Sequence, residues 1–557
     1  MSGYCTGHVI FRYADGFDIT HSAPEIPLVS SSLLEPRRGL TLVHATSLVV
    51  GITIGTGIFL KAAVMAQAVG TPALVLGAWV VAGIIAIFGA LSFAELGAML
   101  PQAGGEYVYL RAAFGEVPGF LYVFNSFLVG GASISAYGAA VAIFLADIYR
   151  FDSVWFERTL HFFGSTYTFQ LGVRQVIAVG VIALFAIINC AGVLLGGRVQ
   201  TLLTAAKVIS ILAVAGGVFF FSGSADWANL TAQPGTGAGL SGFGAALFAA
   251  LWAYSGWQFL PMAASEVQQP ERNLPRAIVG GTLLVLAIYL LVNIAYLYAL
   301  PLWEVASSNS TAYPDAPSVA AKTVQTFLGA KAAPIAALIF LVSSIGALNG
   351  TILARARVPY AAARDGLFFE SFGRLNPRTR VPVISIVLVS GWAALLAASG
   401  TFDQLTNMAV LSYAIFWTPV VLAVIVLRRK LPDAPRPYRV WGYPFVPLAF
   451  VLVMAWIVVN ALLTRPTESA ATIVLILLGL PAYPLFRRRR MTPRPQHDAS
   501  AAKLRILAHL PLAAIDDGRG CAVVEALAIE IGDRSIGGER AAVEALLLVE
   551  RYLRACE

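Results

Sequence analysis

The sequence predicts an all-α polytopic membrane protein with twelve transmembrane helices, and three observations predict it. Of the 557 residues, 58% are hydrophobic and 12% charged, with a mean hydropathy of +0.76. A soluble domain carries about a quarter charged residues, so this chain cannot cover several soluble cores. The same composition excludes disorder, collagen and a disulfide scaffold. Next, uncharged stretches of about 20 residues, the length that crosses a hydrocarbon core as a helix, recur along the whole chain. Finally, these stretches are continuously apolar and lack the alternation of barrel strands, so helices alone satisfy their backbone groups.

In order, the spans read 39–60, 72–94, 117–146, 175–197, 199–221, 242–265, 277–300, 332–354, 382–402, 404–427, 443–464 and 469–486. Residues 1–38 hold Arg12, Asp15, Asp18, Glu25, Arg37 and Arg38, which is not a signal-peptide pattern. The net charge of +8 lies in short connections, whereas a nucleic-acid site would gather it on one folded face. One set of alternate connections holds Arg111, Arg198, Arg272, Arg276, Arg355, Arg357, Arg364, Arg374, Arg378 and Arg380. The same side takes Arg428, Arg429, Lys430, Arg436, Arg439 and Arg487 to Arg490. The other side offers Arg150, Arg158, Arg174, Lys322, Lys331 and Arg465, several of them beside acids. The positive-inside rule then places both termini in the cytoplasm of a multi-pass plasma (cell inner) membrane protein.

Cys190 lies in a span, and Cys5, Cys521 and Cys556 lie in the tails, so no external cysteine is there for a disulfide-linked heavy subunit. The six histidines, His8, His21, His44, His161, His497 and His509, show no metal-ligand spacing. No phosphate-cradling glycine loop and no intramembrane Ser, His and Asp set can be proposed. The expectation is a non-enzyme with no metal and no cofactor.

Two spans carry interruptions. Span one reads Gly51-Ile-Thr53-Ile-Gly55-Thr56-Gly57-Ile-Phe59, and glycine costs a helix interior about 1 kcal/mol against alanine at each position. Span six reads Trp252-Ala-Tyr254-Ser255-Gly256-Trp257. Taken singly, close helix packing accounts for the first and aromatic packing for the second. Taken together, they occupy corresponding places in two five-helix halves, the pattern of an inverted-repeat secondary transporter. A broken helix presents N–H groups at one half-helix start and carbonyls at the other half-helix end. These suit a carboxylate and an ammonium respectively, so two facing breaks suit a zwitterion.

These residues carry a resemblance. The chain resembles the L-type amino acid transporters and their prokaryotic relatives in the amino acid–polyamine–organocation (APC) superfamily, over about residues 38–487. The matching segments are GITIGTGIF at 51–59, LSFAELGAMLPQAGGEYVYLRAAFG at 91–115, WAYSGWQFL at 252–260 and SEVQQPERNLPRAI at 265–278. SSIGALNGTILARARVPYAAARDGLF at 343–368 and LRRKLPDAPRPYRVWGYPFVP at 427–447 complete the ordered set.

The resemblance implies a leucine-transporter-type fold, with inverted repeats at about 39–221 and 242–427 and extra helices at about 443–486. It implies a 38–487 transporter domain between cytoplasmic tails 1–37 and 488–557, working as a monomer or weak homo-oligomer. It implies secondary active transport of an amino acid by alternating access. Gly55, Thr56 and Gly57 would hold the substrate carboxylate, and carbonyls of Thr53, Trp252 and Ser255 the amine. Trp252 would cover the substrate, and Ser255 would face its side chain. Relatives with an acid at that place handle cationic amino acids, and an uncharged hydroxyl leaves a substrate guanidinium unpaired, which is costly. Neutral amino acids are therefore expected, by sodium-independent exchange or proton-coupled uptake. The other reading is a transport-inactive amino acid sensor on the same fold, signalling through its C-terminal tail.

Lys207 is the one charge well inside a span. It either snorkels along span five or is paired within the bundle. The resemblance implies the second: a lysine between spans one, five and eight that replaces a sodium ion and is linked to proton coupling. Glu95, Glu106, Arg111, Glu266, Glu271, Arg272, Arg276, Arg364 and Asp365 read either as solvated charges or as an inner gate of ion pairs. Residues 301–331 are expected to form an external lid. In the tail after 490, ERAAVEALLLVERYLRA at 539–555 is amphipathic and could bundle, lie on the membrane or contact a partner.

Overall fold

The computed structural model describes residues 35–490, apart from 150, 152, 163–164, 232–238, 311, 314–315, 399–401 and 465. The expectations for most of the N-terminal tail, and for the tail beyond residue 490, lie outside the described residues. Span one is two helices, α1 (Leu42–Thr53) and α2 (Gly57–Val69). α1 starts on a capping box, with Thr41 and His44 each bonding the other's backbone N–H. α3 (Pro72–Met99) begins with Thr71 accepting from the Leu74 N–H and proline in the first turn. A short α4 (Glu106–Phe114) precedes the bent span three, α5 (Glu116–Leu128) and α6 (Gly131–Tyr149).

The chain then forms an antiparallel hairpin of β1 (Val154–Phe162) and β2 (Ser165–Gly172), pairing Val154 with Gly172 and Phe162 with Ser165. This corrects the all-α expectation. The segment is rich in aromatics and threonine, which favour strands, but it is too short and polar to register among apolar spans. Spans four and five are α7 (Val173–Cys190) and α8 (Val193–Phe221). Their junction falls at Gly192, with φ 141°, and not near residue 198 as the sequence reading has it. Gly192 takes a backbone conformation that other residues rarely adopt, whereas Gly196 and Gly197 stay helical inside α8.

After α9 (Ala228–Thr231), span six is α10 (Gly239–Tyr254) followed by a 3-10 segment, Trp257–Glu266. α11 (Pro270–Ala299) leads to the short α12 (Leu302–Ala306) and α13 (Val319–Leu328), which occupy the expected lid segment. α14 (Ala332–Arg355) and α15 (Arg357–Arg364) form span eight and its continuation. α16 (Val383–Ala397), α17 (Phe402–Lys430), α18 (Phe445–Thr464), α19 (Pro466–Leu477) and α20 (Gly479–Arg490) complete the bundle.

Among the described residues, ten helical runs are long and apolar enough to cross a membrane. The predicted spans 242–265 and 382–402 are the two outside that set. The first is cut by its break, and the second is the shorter apolar helix Val383–Ala397. Polarity is sorted inward. On α8 the stripe Gln200, Thr204, Lys207 and Ile211 is buried, while Leu202, Ile209 and Phe220 are exposed. That spacing is one helical face, and it turns the lysine into the bundle.

Candidate substrate site

The two broken spans cross at their breaks. α1 packs on the 3-10 segment of span six, and α2 packs on α10, so the spans run antiparallel. Two glycines permit this approach. A Cβ on Gly57 would lie 2.6 Å from the Ala253 Cα, and one on Gly256 would lie 2.5 Å from the Thr53 Cα.

At the first break the helix ends at Thr53, and the Gly55 N–H turns back to donate to the Thr53 carbonyl at 2.8 Å. α2 restarts at Gly57, so its first N–H groups have no acceptor within the helix until Phe59 and Leu60 donate to the Thr56 carbonyl, each at 3.2 Å. No backbone carbonyl among the described residues takes the N–H of Thr56, Gly57 or Ile58. Trp252 closes over this turn, its indole N–H donating to the Thr56 hydroxyl at 3.4 Å and its ring 5.6 Å from that of Tyr137. The Ser255 hydroxyl donates to the Trp252 carbonyl at 2.8 Å.

Thr53, Gly55, Thr56, Gly57, Trp252 and Ser255 are therefore gathered around one buried junction. Two of the three expected amine-binding carbonyls already accept protein donors. Ser255 bonds the carbonyl of Trp252, and Gly55 and Tyr289 bond that of Thr53.

Lys207 does not snorkel. It is 0% exposed, and its ammonium donates to the carbonyls of Gly51, Ile54 and Ser343 at 2.6, 2.7 and 2.8 Å. All three protons of the ammonium are used, and two of the acceptors are carbonyls freed by the break. The Ser343 hydroxyl adds bonds to the Ile54 and Gly55 carbonyls at 3.0 and 3.2 Å. Lys207 thus ties α8, the break of span one and α14 together.

Sequence reasoning missed two residues here. Tyr289 of α11 reaches both breaks, its hydroxyl lying 2.7 Å from the Thr53 carbonyl and 2.9 Å from that of Ala253. Ser343 caps the turn from span eight. The signal for each was a polar group in an apolar run, which does not say where the group points.

Ion pairs join the elements at the end of the bundle that carries α4, α15 and the end of α17, here called the basic end. Glu266 and Arg357 form a forked pair at 2.9 to 3.2 Å, with both side chains 1% exposed. Arg111 pairs with Asp365, which also accepts from the Tyr107 hydroxyl at 2.7 Å. Burial pulls the Arg111 guanidinium down, and the Asp365 carboxylate with Tyr107 outweighs it and raises it. Glu95 accepts from Arg428 at 2.8 and 2.6 Å and from the Val440 N–H at 2.7 Å. Four of the acids and bases singled out in the sequence are thus engaged, and their partners Arg357 and Arg428 were not foreseen. Among the described residues no His, Cys, Asp and Glu cluster could hold a metal ion.

A family model described as amino acid permease matches residues 40–480. The chain is 31% identical over 457 residues to the serine/threonine exchanger SteT of Bacillus subtilis, covering 82% of this chain and 98% of that protein. It is 30% identical over 452 residues to the mouse (Mus musculus) b(0,+)-type amino acid transporter 1, covering 80% and 87%. It is 29% identical over 452 residues to the human (Homo sapiens) cystine/glutamate transporter, covering 81% and 85%. With the paired helix breaks, these matches place the chain among the amino acid permeases of the L-type group in the amino acid–polyamine–organocation superfamily, as a membrane transporter of amino acids and not an enzyme.

Proposed function

We propose that the protein is a sodium-independent carrier of neutral amino acids that works by alternating access around the junction of spans one and six. The observation that carries this reading is the Lys207 ammonium, which fills a cage of three carbonyls between the break and span eight. A fixed cation there supplies the link that a sodium ion would otherwise make, and like charges exclude one another from a buried site. Exchange or proton-coupled uptake then drives transport.

Thr53, Gly55, Thr56, Gly57, Trp252 and Ser255 form the substrate site in this reading. The amides of the first turn of α2 take the carboxylate, since a helix start favours an anion. The carbonyls at the breaks take the amine, and Ser255 sets the side-chain class. None of these residues carries a charge, so a neutral side chain is the cheapest to desolvate. The serine and threonine in the name of the Bacillus relative agree with a small polar substrate.

The bundle is read as twelve spans in two five-helix repeats, 39–221 and 242–427, with two added helices. Both termini lie in the cytoplasm of the plasma membrane, because the basic end gathers the arginine-rich connections.

Proteoliposome uptake tests the reading. Preloaded liposomes should take up neutral amino acids without sodium, and imposed pH gradients separate exchange from proton coupling. Arginine or lysine as the best substrate refutes the neutral assignment. Substrate binding without flux identifies a sensor instead.

A further inference from the structure

Three acids are buried near the basic end: Glu95 and Glu266, 1% exposed, and Glu106, 2% exposed. Glu95 and Glu266 are each held by a forked arginine. Glu106 is different. One of its carboxylate oxygens, Oε2, has no hydrogen-bond partner among the described residues. Arg355 of α14 acts on it electrostatically, but no ion pair among the described residues joins them. The Arg355 guanidinium is committed elsewhere. It donates to the hydroxyls of Ser133, Ser126 and Tyr413 at 2.9, 3.3 and 2.9 Å. It also lies over the rings of Phe259 and Tyr413.

Glu106 sits in the seam of the closed end. The Gly104 N–H donates to the Met262 carbonyl in the inner half of span six at 2.9 Å. Gly105 has φ 52°, and a Cβ there would stand 3.0 Å from the Met262 N. One residue after Glu106, Tyr107 bonds Asp365 beyond span eight. The stretch 104–107 therefore touches both span six and the continuation of span eight, which must separate for this end to open.

We propose that Glu106 is a proton-binding site that is occupied when the basic end is closed and vacated when it opens. The proposal rests on the alternating-access reading above and names the group whose charge biases it. The chemistry is that of a buried acid with no directly bonded counter-ion among the described residues: burial disfavours the carboxylate, and the neutral acid can stay. Burial pushes the Glu106 carboxyl from 4.5 up to about 7, against its own backbone N–H, the Tyr122 hydroxyl and Arg355, which favour the charged form.

The groups that face it are Tyr109 on its own helix, Tyr122 on α5 and Arg355 on α14. Tyr413 on α17 acts on Tyr122. The nearby 3-10 segment contributes Met262 and Phe259, which are uncharged, and its Glu266 is held by Arg357.

Opening would admit water to this seam and return the carboxyl toward its ordinary 4.5. The sign follows. Between about 7 and 4.5 the closed form holds a proton that the open form lacks. Each pH unit downward through that window favours closure by about tenfold. Above it both forms are charged, and the bias no longer varies with pH.

The test uses the purified full chain. Hydrogen exchange of residues 104–114, corrected for intrinsic rates, reads opening without any substrate. L-serine counterflow in proteoliposomes at equal pH on both sides reads its effect on transport. In the wild type, protection of 104–114 should rise and counterflow should fall as pH drops through about 7. Glu106→Gln should flatten both profiles, and Arg355→Met should move the inflection up by as much as ~1 pH unit. A wild-type exchange profile flat with pH overturns the proposal. So does an inflection that survives in Glu106→Gln, or one lowered in Arg355→Met. Absence of counterflow at every pH, with the exchange profile intact, refutes the transport reading and leaves the proton site standing.

Discussion

Removing the Lys207 ammonium should disconnect the break of span one from span eight. In Lys207→Ala the three donors to Gly51, Ile54 and Ser343 are lost together. A hydrogen bond from a charged donor contributes about 1.5–3 kcal/mol, so the gross loss is on the order of 5–9 kcal/mol. Water can enter the vacated polar space and re-satisfy the carbonyls, and roughly half the loss is then recovered. A residual ~3 kcal/mol corresponds to about a hundredfold fall in the population of the tied arrangement. The assay is initial-rate exchange of neutral amino acids in proteoliposomes with matched amounts of folded protein, in sodium and in choline buffers. Flux should fall by about thirty- to a hundredfold. Wild-type flux in Lys207→Ala, with sodium still giving no stimulation, would show that the lysine does not replace a sodium ion.

Other perturbations probe the rest of the frame. Tyr289→Phe removes the hydroxyl shared by the Thr53 and Ala253 carbonyls and should cost ~1–3 kcal/mol. It is read as a drop in flux in a protein that elutes and melts near wild type, and unchanged flux counts against the bridge. Arg357→Met strands the buried Glu266 carboxylate and should destabilise by ~3–5 kcal/mol, whereas Glu266→Gln with Arg357→Met should recover much of it. Thermal melts that show simple additivity refute the coupling. Gly57→Ala pushes a methyl into Ala253 and should force α2 off α10, lowering flux at least about tenfold. Ser255→Asp adds a carboxylate at the side-chain position and should admit arginine or lysine at the expense of neutral substrates. A substrate profile unchanged in that variant removes Ser255 from the specificity assignment.

Much of the bundle was legible because a membrane span is a local property. Twenty apolar residues in a row announce themselves without knowledge of their neighbours. The two breaks were legible for the same reason, since glycine and small residues weaken a helix where they stand. The hairpin at 154–172 was not read, because short strands pair by a register that composition does not display. The ion pairs of the basic end were half read. Its acids and bases were visible as charges, but Glu266 finds Arg357 across 91 positions, Arg111 finds Asp365 across 254, and Arg428 finds Glu95 across 333.

By itself the sequence determined the scarcity of charge, the helical class, the two interruptions and the isolation of Lys207 within its span. Only the tertiary structure decided what each buried charge touches. It turned Lys207 onto three carbonyls instead of toward the surface, gave Glu95 and Glu266 their arginines, and left one Glu106 oxygen without a hydrogen-bond partner among the described residues. The physical reason is that the energy of a buried charge depends on the few atoms within hydrogen-bond reach, and those atoms come from helices far apart in the chain.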